Sequence, residues 1–148
     1  MLKDRIQKDL QEAQLNKDEN KVSTLRLLLS EIRYAEINSG GEIDDAGVVG
    51  VVQKEIKKRR EAAEGFKKGG RDEQAQKEEA ELEILSPYLP AQLSDEELDK
   101  IIGEAIAQTG ASAISDMGKV IGVVMGKVAG QAEGARVSAK VKEKLSNG

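Results

Sequence analysis

Between Ser112 and Gly134 a glycine falls at every fourth position, Gly118, Gly122, Gly126, Gly130 and Gly134. Met117, Val120, Ile121, Val124, Met125 and Val128 lie between them, apolar at helical spacing. The period predicts a helix with one side of nearly bare backbone. Each interior glycine costs about 0.5–1 kcal/mol relative to alanine, so such a helix is expected to be closely approached by something. Two readings follow. Another helix packs tightly against Gly118, Gly122 and Gly126, or the backbone stays open to a phosphate chain, with Lys119 and Lys127 supplying charge. A membrane span is not among them, because the apolar run is broken by lysines and is far shorter than the ~20 residues a bilayer requires.

Helical periodicity holds elsewhere too. Leu2, Ile6, Leu10 and Ala13 mark a first amphipathic helix. Val22, Leu25, Leu28, Leu29 and Ile32 mark a second, ending near Asn38 before Gly40-Gly41. Asp44 or Asp45 can cap a third, carrying Val48, Val51, Val52 and Ile56 and running to Phe66. The valines of Val48–Val52 carry the one hint of β structure. Asp72 can cap a fourth helix with Ala75, Ala80, Leu82, Ile84 and Leu85 on its apolar side. The prolines of Ser86-Pro87-Tyr88-Leu89-Pro90 oblige the chain to turn or extend, placing a domain boundary within Ser86–Leu93. Ser94 and Glu97 then form a capping box, and Leu98, Ile101, Ile102, Ala105 and Ile106 carry a helix to Gly110. Ser112 or Ser115 opens the glycine-rich helix, with Asp116 as a capping group. A last helix from Glu133 or Gly134 buries Val137, Val141 and Leu145 and presents Arg136, Lys140 and Lys144 outward. The expected fold is all-α: a bundle of about four helices over residues 1–88, then a small three-helix domain over 89–148.

Composition excludes several chemistries. The 148 residues contain no Cys and no His, which rules out disulfides, thiolate catalysis, the common zinc sites and histidine general bases. Paired acids such as Glu78/Glu79 and Asp44/Asp45 stand without clustered partners, so no metal, no cofactor and no catalytic residues are expected. The N-terminus lacks a signal-peptide core, and the expectation is a cytoplasmic protein with no membrane partner. Net charge is −4, unevenly spread. Residues 1–110 hold 17 Lys+Arg against 24 Asp+Glu, whereas residues 111–148 hold 6 against 3. The basic tail points toward a polyanion. A second basic patch, Lys54, Lys57, Lys58, Arg59 and Arg60, reads as a solvated helix face with pairs such as Lys57–Glu61 and Arg60–Glu64, or as a phosphate contact. Arg26 is expected to snorkel or pair with Glu19 or Glu31, with a tRNA contact as the less favoured reading. The few aromatics, Tyr34, Phe66 and Tyr88, lie apart from the tail, which disfavours base stacking there and leaves shape and backbone contact with a folded RNA.

Thr24-Leu25-Arg26, the run Gln53–Glu61, Tyr88-Leu89-Pro90, Leu93–Leu98 and Asp116–Gly122 together resemble the YqeY family over essentially the whole chain. That family shares a C-terminal domain with GatB, the B subunit of the tRNA-dependent amidotransferase. The resemblance implies an all-helical protein whose tail, like that of GatB, reaches the body of tRNA. It also implies grouping with glutamine-dependent carbon–nitrogen ligases. On this likeness Lys119, Lys127, Arg136 and Lys140, beside Gly118 and Gly122, are the RNA-contact positions. The family often has proline where this chain has Gly126, and glycine permits the helix to continue. Three functions follow: a noncatalytic tRNA-binding accessory protein, a protein-docking module using the glycine face, and an amidotransferase or ligase component. No ATP loop or nucleophile–base pair supports the last.

Overall fold

Two separate apolar clusters organise the chain. A computed structural model describes residues 1–147, and they form two units, Met1–Leu89 and Pro90 onward, each with its own core. Among the described residues every regular element is helical, as the periodicity predicts.

The first unit holds α1 (Leu2–Leu15), α2 (Glu19–Ser39), α3 (Asp45–Lys68) and α4 (Asp72–Leu85), closed by a 3₁₀ turn, Ser86–Tyr88. Ile6 of α1, Leu25, Leu28 and Ile32 of α2, Val48, Val52 and Ile56 of α3, and Leu85 of α4 are buried together. Local chemistry sets the helix ends. Asp18 Oδ1 accepts from Lys21 N at 3.3 Å, and Asp44 Oδ1 accepts from Gly47 N at 2.9 Å, each satisfying a first-turn amide. Asp45 instead accepts from Leu2 N at 2.9 Å, tying α1 to the start of α3. Asp72 does not cap α4 but lies inside its first turn, where its charge suits the helix dipole. The valine run is helical, because Val48 and Val52 at four-residue spacing put two side chains into the core. Tyr88 ends the unit: its ring is buried, its hydroxyl donates to Asp9 Oδ2 at 2.6 Å, and the Arg5 guanidinium lies 5.1 Å from the ring centroid. Burial, and then the Asp9 bond, push the phenol above its ordinary range.

The second unit holds α5 (Asp95–Thr109), α6 (Met117–Val128) and α7 (Gly134–Asn147). Ser94 and Glu97 make the expected capping box, at 3.1 Å in both directions. Its core is aliphatic: Leu98, Ile102 and Ala105 of α5, Val120, Val124 and Val128 of α6, and Val137, Val141 and Leu145 of α7. A short 3₁₀ turn, Ile114–Asp116, precedes α6, and Asp116 Oδ2 accepts from the amides of Ser112 and Ala113. Asp116 thus closes the turn before the helix and makes no capping bond to α6 itself. The helix passes through Gly126 without a break and ends at Ala129, in the left-handed region at φ +44.

Candidate functional site

The core of the second unit decides which side of α6 faces out. Val120, Val124 and Val128 recur every fourth residue and are fully buried. Gly118, Gly122 and Gly126 recur at the same interval on the opposite side and are exposed. A Cβ built on any of the three would meet nothing within 4 Å. No helix of this unit packs on that stripe, which removes one of the two explanations for its glycines as far as this unit is concerned. Gly50, Gly65 and Gly103 also have open space before them, but α6 places three such positions along one face. Lys119 is exposed beside the stripe, and Ile121, Val123 and Met125 are half-buried at its margins. Lys127 is exposed in the last turn, its Nζ donating to Gln108 Oε1 at 3.2 Å, a neutral partner, and among the described residues it joins no ion pair.

Arg136 and Lys140 are placed differently. Arg136 donates to Leu93 O at 2.8 Å and to Asp95 Oδ1 at 2.7 Å. Lys140 donates to Asp99 Oδ1 at 3.1 Å and lies 3.6 Å from Asp95 Oδ1. Lys144 donates to Asp99 O at 3.2 Å. The three cations recur every fourth residue on α7, and Asp95 and Asp99 share that interval on α5, so the helices are stitched along one edge. The Arg136 hydrogen bond, with the Lys140 charge behind it, holds the Asp95 carboxyl below the usual carboxylate range. Asp99 likewise raises the Lys140 ammonium. These two cations, expected to point outward, are compensated within the unit. The matched intervals on α5 and α7 are the sequence signal for this pairing.

The second basic patch divides in the same way. Lys54, Lys57 and Lys58 are exposed on α3, whereas Arg59 is 6% exposed. Arg59 donates through Nη1 to Glu55 Oε2 at 2.7 Å, and its Nε lies 3.3 Å from Glu81 Oε2 on α4 without the alignment of a hydrogen bond. Glu55 is itself buried and also lies 3.4 Å from Lys58 Nζ. Arg59 is therefore a core ion-pair residue joining α3 to α4, not part of a solvated face. Val52, Ile56, Arg59 and Ala63 share one side of α3, which is why the arginine is carried inward. Arg60 is half-buried. Glu78, near this cluster, has its carboxyl raised, first by burial and then by the charge of Glu81.

Arg26 pairs with neither Glu19 nor Glu31. It lines an open hollow of about 430 Å³ with Gln14, Lys17, Glu19, Val22 and Ser23. Among the described residues no group of three or more acids is placed to hold a metal ion, and no helix is long and apolar enough to cross a membrane.

The architecture is thus that of a two-unit helical protein whose distinguishing surface is a glycine-and-lysine helix face. Residues 3–145 match the profile of the Yqey-like protein family, and the chain belongs to that family. It is 37% identical over 87 residues to the altered inheritance of mitochondria protein 41, mitochondrial, of Eremothecium gossypii, a match covering 58% of this chain and 48% of that one. It is 38% identical over 90 residues to an uncharacterized protein of Schizosaccharomyces pombe, covering 61% and 73%. The protein 41 of Vanderwaltozyma polyspora is 29% identical over 119 residues, covering 76% and 64%. The chain spans about half the length of the Eremothecium relative.

Proposed function

We propose that the C-terminal unit is a docking module for folded RNA of the tRNA class, with the outer face of α6 as the contact. The observation that carries this is the stripe Gly118, Gly122 and Gly126: backbone open to solvent, with Lys119 beside it and Lys127, on a neutral partner, at its end. A phosphate chain can approach bare helix backbone more closely than it can approach any side chain, and the lysines supply the countercharge. The resemblance to the GatB tail supports the same class of ligand. Arg136 and Lys140 act in this reading as positioning residues, since they hold α7 against α5. The unit contributes docking only; amidotransfer, if this chain takes part in it, is chemistry supplied elsewhere.

The half-buried Val123 and Met125 beside the glycines favour a second reading, an apolar partner helix on the same face. Salt separates the two. Total tRNA is titrated with the purified protein across a salt series, alongside a Lys119→Glu/Lys127→Glu variant. RNA docking predicts affinity that falls steeply with salt and is lost in the variant. Absence of binding at low salt refutes the RNA reading and leaves the protein-docking one. Ammonia release from glutamine, assayed in parallel, would instead support the ligase reading.

A further inference from the structure

The outer side of α2 carries a different pattern. Leu27, Tyr34 and Ile37 are 47%, 65% and 68% exposed, although their helix buries Leu25, Leu28 and Ile32 on its other side. With Ser23 and Ser30, also exposed, they occupy positions 23, 27, 30, 34 and 37. Those intervals of four, three, four and three are the alternating a and d positions of a coiled-coil seam. Arg26 and Arg33 then fall at g, and Glu31 and Asn38 at e. Arg26 and Arg33 are exposed and Glu31 is half-buried, and none of the three joins an ion pair among the described residues.

We infer that this face of α2 packs against the α2 of a second copy of the chain, parallel and in register. Flanking charge selects both occupant and direction. In a parallel pair each g residue meets the e residue five positions later on its partner, so Arg26 faces Glu31 of the other copy, twice by symmetry, and Arg33 faces Asn38. In an antiparallel pair g lies beside g, which sets Arg26 and Arg33 of one copy against those of the other. The seam packs Leu27, Tyr34 and Ile37 against their own counterparts, and the small Ser23 and Ser30 let the helices approach. From Ser23 to Ile37 the contact is about 21 Å long, at 1.5 Å per residue, so it belongs with small, weak interfaces.

The chain has no cysteine, so a single introduced thiol gives a clean test. Ser23→Cys, Ser30→Cys and, as an exposed control on α4, Gln76→Cys are each oxidised with glutathione disulfide in the full-length protein. A parallel in-register pair crosslinks at both 23 and 30 and far less at 76. An antiparallel pair brings only one position to its own copy, so crosslinking at one of the two overturns the assignment. Sedimentation equilibrium on the cysteine-free protein supplies the second measurement. Arg26→Glu and Glu31→Arg each weaken self-association, and the double exchange restores it. A protein that stays monomeric up to about 1 mM, the weak limit of useful association, refutes the inference.

Discussion

Replacing Gly118, Gly122 and Gly126 together by alanine should make the protein more stable and a poorer ligand for RNA. The magnitude follows from the geometry. All three lie within α6, at ordinary helical φ, and an added Cβ meets no atom within 4 Å, so no clash offsets the gain. Each exchange is worth about 0.5–1 kcal/mol, partly by restricting the unfolded chain, or about 1.5–3 kcal/mol for three. In a unit of this size about 1 kcal/mol raises Tm by about 4–8 °C, so a shift on the order of 10 °C is expected. The measurement is convenient, because Tyr34, Phe66 and Tyr88 all precede Pro90. Tyrosine fluorescence follows the first unit alone, whereas far-UV circular dichroism follows both. The stabilisation should show in the dichroism melt and leave the tyrosine melt unmoved. The same variant should bind tRNA more weakly at every salt concentration while keeping the salt slope, since its lysines are intact. A destabilised variant would refute the open-space argument. A stabilised variant that binds tRNA like the parent would refute close backbone approach.

Arg59→Ala should cost the first unit about 2–4 kcal/mol in urea denaturation, because it leaves the buried Glu55 carboxylate with only the longer contact to the exposed Lys58 ammonium. Lys57→Ala, two residues away and exposed, should stay within about 0.5 kcal/mol. Glu78→Gln should stabilise modestly at neutral pH. The carboxyl is raised from its ordinary 4.5, so the fold holds its proton more tightly, and the gain seen in thermal melts should shrink as pH falls through the raised folded value and be gone below the ordinary one. Asp95→Asn should act in the opposite sense. The Asp95 carboxyl is held below its ordinary 3.8, so its contribution is complete above that value and is lost as pH falls through the lower folded one. The difference between parent and Asp95→Asn should be small, present at pH 7, and absent in strongly acidic buffer.

Some of these features are legible in the chain and others are not, for reasons that lie in the residues. Leu2, Ile6, Leu10 and Ala13 give α1 directly, because a helix buried on one side repeats at that spacing. Ser94 and Glu97 give the start of α5, because a capping box is local chemistry. The outer face of α6 was ambiguous in the sequence, since its valines and its glycines repeat at the same interval and only the neighbouring helices choose between them. Arg59 was hidden in a basic run because its partner across the helix pair, Glu81, lies on a different element. Asp95 and Asp99 were hidden for the same reason: a four-residue ladder acquires meaning only when the matching ladder on α7 is laid beside it.

The two apolar clusters share no residue, and each unit is closed by its own chemistry: Tyr88 clamped to α1 on one side of the join, the Ser94 capping box on the other. The join between Leu89 and Pro90 is therefore a natural point of recombination. A segment beginning at Pro90 carries its own aliphatic core and the α6 face with it, so grafting it onto an unrelated host would transplant the proposed docking surface as a portable part. Natural selection could exploit the same seam, moving that surface between proteins without redesigning either partner.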